Sequence, residues 1–86
     1  MLTFEDCVEV GDLTTEEVDA IAVHEHLPEL VACEMGVALL RRPGGVQTIR
    51  RFIEEDIVVA QRHHHPVKVA HLRHVLDNFN ATHPEA

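Results

Sequence analysis

The chain has no tryptophan, no tyrosine and three phenylalanines, so it lacks the aromatic platforms on which single-stranded nucleic acids stack. Serine is absent as well, which removes the serine nucleophile. Cysteine occurs twice, at Cys7 and Cys33, without C-x-x-C spacing. Two such residues in apolar surroundings are expected as buried thiols rather than a disulfide framework. No run approaches ~18 consecutive apolar residues, so no membrane span is expected. The start, Met1-Leu2-Thr3-Phe4-Glu5-Asp6, has neither the basic region nor the apolar run of a secretory signal, and a cytoplasmic setting is the expectation.

Basic residues are missing from a whole segment. Residues 1–40 hold ten acids and no lysine or arginine; all seven Lys and Arg residues lie from Arg41 onward, with five acids and six of the eight histidines. The formal net charge is −8. An acidic half repels phosphate backbones and anionic lipid and suits a basic protein partner, a cation, or the basic half of a second copy. With 86 residues and 45 % apolar content, the chain reads as one globular domain, residues 1–86, whose tail, residues 80–86, is expected to fray. A domain of this size buries only ~60 % of its unfolded surface, so self-association would help it.

What is present is helical punctuation. Thr3 with Asp6, and Thr14 with Glu17, are capping boxes, each with apolar staple positions (Leu2 with Cys7, Leu13 with Val18). Gly11 is a natural stop. Pro28 ends the second helix near His26-Leu27 and suits the first position of a third, which runs to about Arg42. That third helix, with few polar positions, is expected to be the most buried. Pro43-Gly44-Gly45 and His63-His64-His65-Pro66 are the next breaks. A fourth helix over about 46–62 aligns Val46, Ile49, Ile53, Ile57 and Ala60, leaving Val58 and Val59 off that face. A fifth, over about 66–79, aligns Val69, Leu72, Val75, Leu76 and Phe79. The fold class is all-α: a compact bundle of four main helices plus a short N-terminal helix.

Chemistry concentrates at the corner His24-Glu25-His26-Leu27-Pro28-Glu29. At about 100° per residue, Glu25 continues the apolar stripe of Val18, Ile21 and Ala22. Glu34 falls within the apolar arc of the third helix, and Asp56 beside Phe52, Ile53, Ile57 and Ala60. A carboxylate in an apolar arc needs a partner or a proton. One solution is a metal site, Fe, Mn or Zn, with Glu25, Glu34, His24, His26 and Asp56 as candidate ligands. Against it, no Glu-x-x-His pair of the di-iron bundles occurs, and Pro28 breaks the zincin pattern that His24-Glu25 begins. The other solution pairs the carboxylates with arginines, histidines or a second subunit, His24 and His26 capping backbone carbonyls. It needs no cofactor, and it is the one we expect. His63-His64-His65 lacks structural zinc spacing and reads as surface loop, and His71 and His74 as solvated. The tight corner between the second and third helices resembles a helix-turn-helix, but Pro28-Glu29-Leu30-Val31 offers nothing to read bases, so no nucleic-acid partner is expected.

The segment Leu13-Thr14-Thr15-Glu16-Glu17-Val18-Asp19-Ala20-Ile21-Ala22, continued by His24-Glu25-His26-Leu27-Pro28-Glu29, resembles short helical proteins of proteobacteria that have no assigned activity. The resemblance covers about a fifth of the chain and implies a bacterial cytoplasmic setting, with nothing about chemistry. The functional expectation is a non-enzymatic interaction or regulatory module that forms a homodimer; the alternative is the metal-binding helical protein.

Overall fold

Two capping boxes start the first two helices. Thr3 Oγ1 accepts from the Asp6 N–H and Asp6 Oδ2 from the Thr3 N–H, both at 3.2 Å. Thr14 Oγ1 accepts from the Glu17 N–H at 3.1 Å and Glu17 Oε1 from the Thr14 N–H at 2.9 Å. A computed structural model describes residues 3–84, so Leu2 of the first staple lies outside the described residues. Among these it contains five helices and no strand: α1 (Phe4–Gly11), α2 (Thr15–Glu25), α3 (Glu29–Leu40), α4 (Gly45–Arg62) and α5 (Pro66–Thr82). The all-α class is as expected.

The breaks are made slightly differently from the sequence expectation. Asp12, not Gly11, takes the left-handed conformation after α1 (φ 61°), and His26 does so after α2 (φ 56°). The amides of His26 and Leu27 both donate to the Ala22 carbonyl, closing α2. Pro28 stands just outside α3 as its N-cap. Helix α5 runs three residues past Phe79, and His83 beyond it stacks on the Phe79 ring at 4.6 Å.

Helix α4 is the centre of the core. Ile49, Phe52, Ile53, Ile57 and Ala60 are buried on one side of it, covered by α2 and by Leu72, Val75 and Phe79 of α5. Helix α3 is not the most buried element. Only Ala32, Cys33 and Gly36 are fully enclosed, while Val31 and Glu34 are exposed. The physical reason is size: α3 meets α2 through its small residues, and a Cβ on Gly36 would come within 2.7 Å of Leu13 Cδ1 and 3.0 Å of Ile21 Cδ1. With apolar side chains all round, hydrophobicity could not set the orientation of α3; close approach did. Glu34 consequently points away from the core, contrary to the expectation from the apolar arc.

Helix α1 packs chiefly on α3. There Cys7 and Cys33, both buried, form a disulfide, where free thiols were expected. The Cα trace measures 39 × 30 × 17 Å, the thickness of two helix layers at the usual ~8–10 Å axial spacing. So thin a slab gains from a covalent tie. The two cysteines are 26 residues apart, and chain entropy for a loop of that length gives about 3–4 kcal/mol. Urea denaturation with and without reductant should show a loss of that order, and Cys7→Ala/Cys33→Ala should match the reduced protein.

Candidate functional site

Asp56 lies on the buried side of α4, one turn from Phe52 and Ala60. It is 9 % exposed, and its Oδ2 has no hydrogen-bond partner among the described residues. Burial pushes its carboxyl up to about 6, against the pull of the His24 and Lys68 charges and with a further push from Glu55. The inward placement of Asp56 is as expected; that its Oδ2 has no partner among the described residues is new.

His24 sits beside it, at the end of α2. Its ring stacks on Phe52 with centroids 4.3 Å apart. Nδ1 is 2.8 Å from Glu25 Oε2 and Nε2 is 2.6 Å from Glu55 Oε1. Only an imidazolium donates from both nitrogens, so this geometry selects the charged ring. Partial burial works against that charge, but the hydrogen bonds it donates to Glu55 and Glu25 and the Asp56 and Glu55 charges outweigh it, and the pKa is raised. The two carboxylates bind opposite edges of one ring, so they cannot share a metal with it.

A cavity of about 120 Å³ opens next to this pair, lined by Glu16, Asp19, Ala20 and Val23 of α2, Asp56 of α4, and Lys68, His71 and Leu72 of α5. Asp19 Oδ1 on its wall is also buried without a hydrogen-bond partner, and the Asp19 carboxyl holds that of nearby Glu29 above its ordinary value by a hydrogen bond and by its charge. Lys68 and His71 also line an open hollow with His65, Pro66 and Val67, so the two depressions meet along the start of α5.

The five candidate ligands are therefore dispersed. His24 and Glu25 pair, Asp56 lies near them, His26 is an exposed helix cap, and Glu34 is exposed on α3. Among the described residues no three His, Cys, Asp or Glu side chains converge as a metal-ligand set. Helical phase ranked the residues wrongly: His24, expected to flank the corner, is the one that packs inward, because the aromatic face of Phe52 receives it. Glu55 and Lys68 were not singled out. Glu55 is an exposed-face residue of α4, recognisable only once α2 is known to lie across it.

A second polar cluster ties the far end of the molecule. Glu17, 1 % exposed, has Oε2 unpartnered; burial raises its pKa, while the Thr14 hydrogen bonds and the His83 charge pull it back. His83 Nε2 lies 3.8 Å from Asp12 Oδ2. Arg50 Nε donates to Asn80 Oδ1 at 2.6 Å, holding α5 to α4. These contacts serve the fold.

The raised carboxyl of Asp56 favours folding below its unfolded value, 3.8, and that contribution is lost as pH rises through about 6. Asp56→Asn should therefore stabilise the protein at pH 8 relative to pH 4, by up to about 3 kcal/mol for a shift of this size, read from urea midpoints across pH. His24, also raised, contributes stability below its unfolded value that is lost through its folded one, so wild-type stability should fall from pH 5 to 8, and His24→Gln should shrink that fall. His26→Gly, which relieves a left-handed non-glycine residue, should stabilise by about 0.5–1 kcal/mol, measured by thermal melting.

Compared with known protein families, with curated proteins and with solved structures, the chain matches none of them.

Proposed function

We propose that the chain is a non-enzymatic interaction module that acts as a homodimer, the acidic N-terminal half of one protomer set against the basic C-terminal half of its partner. The observation that carries this reading is the pair Val58 and Val59, 43 % and 51 % exposed on the side of α4 away from the core. Both belong to the long central helix, where a second copy can cover them at little entropic loss. Val31, 44 % exposed, adds apolar surface on α3. The separation of charge along the sequence supplies orientation: a two-fold pairing brings unlike halves together twice.

The chemistry on offer supports binding over catalysis. Both cysteines are in the bridge and serine is absent, so neither of these nucleophiles is available. The bridge also favours an oxidising compartment over a cytoplasmic setting.

Sedimentation across a concentration series tests the homodimer. Full burial of a valine contributes about 1.5–3 kcal/mol, and a two-fold interface counts each residue twice. Val58→Glu/Val59→Glu should therefore weaken association by ~100-fold or more while leaving the helical circular dichroism unchanged, and added salt should weaken the wild type. A wild-type chain that stays monomeric at about 1 mM, equivalent to less than ~4 kcal/mol of association, would overturn the reading.

A further inference from the structure

We propose that the cavity between α2, α4 and α5 binds an aliphatic primary ammonium group, with the Asp56 carboxylate as its anchor. Three features carry this. Asp56 lines the cavity, is nine-tenths buried, and has an oxygen that no described residue satisfies. An unpaired buried carboxylate oxygen is costly, and a bound N–H donor would offset that. The remaining wall is divided in kind: Ala20, Val23 and Leu72 are apolar, while Glu16 and Asp19 add two further carboxylates. Apolar walls suit methylene groups and the acids suit a positive head.

Size and charge narrow the class. The volume, about 120 Å³, well exceeds what one water needs and is enough for a short alkyl chain with one ammonium. Three carboxylates against the single lysine leave the cavity net negative, so an anion is disfavoured. Lys68 forms no ion pair with Asp56, and its long exposed stem can swing outward to admit a competing cation. A hard divalent cation needs six or so oxygens, and no such cluster is present among the described residues. The same head group can come from a free amine or from a lysine side chain of another protein.

The test is titration of the intact, oxidised protein, followed by amide NMR, with n-butylammonium, with lysine blocked at both its α-amino and carboxyl groups, and with n-butanol as the uncharged control. Saturable shifts centred on Ala20, Val23, Asp56 and Leu72 are expected with at least one of the ammonium probes and not with butanol. Tighter binding of butylammonium assigns a free amine; tighter binding of blocked lysine assigns a protein side chain. Asp56→Asn, which should fold at least as well as the wild type, should weaken binding by ~10-fold or more, and Glu34→Gln, exposed on α3, should not.

The pH dependence gives a second readout. The groups around Asp56 are His24, Glu16 and Asp19 on α2, Glu55 on its own helix, and Lys68 and His71 on α5. Asp56 takes up its proton around pH 6 and His24 gains charge in the acidic direction, so both act against a cation. Affinity should fall by up to about 10-fold from pH 7.5 to 5. Equal binding of butanol, no binding of either ammonium, or undiminished binding to Asp56→Asn would each overturn the proposal. None of these outcomes depends on whether the protein is a dimer.

Discussion

The isoleucine face of α4 has to be covered from two sides, by α2 and by α5, and the rest of the molecule follows from how those two covers meet. Burial of Ile49, Ile53 and Ile57 supplies the apolar area that a chain of this length cannot find elsewhere. A small cavity lies between these three helices, and Asp56 is the α4 residue that lines it.

A carboxylate in that position is a liability for folding. Burial holds it well above the usual carboxylate range, and the nearest compensation comes from a histidine that must itself be charged. His24 is kept so by Glu25 and Glu55 and is held in place by the Phe52 ring. The seam between α2 and α4 is thus a chain of coupled charges in a domain with a thin core. Well-packed apolar residues would stabilise it more. A cation bound in the proposed ammonium site would offset that cost.

At the other edge of the slab, covalent chemistry does what packing cannot. Helix α1 covers little more than α3, and the Cys7–Cys33 bridge fixes it there. The bridge and the Gly36 contact together set where α3 lies, and so leave Glu34 and Val31 in solvent.

The helices themselves were legible in the sequence because their causes are local. Capping boxes, the Pro28 and Pro43-Gly44-Gly45 breaks, and the apolar period of α4 each act within a few residues. The burial of Asp56 was legible for the same reason: its helix has one unambiguous face. Where a helix is apolar all round, as α3 is, period carries no direction, and Glu34 was placed inward in error. The Glu55 partner of His24 and the Cys7–Cys33 bridge join residues 26 or more positions apart. Such contacts depend on how helices cross. Sequence determined an acidic all-α chain with one buried aspartate; the tertiary structure alone decided that a stacked histidine and an acidic cavity would surround it, because only packing brings α2 and α5 together over the isoleucine face of α4.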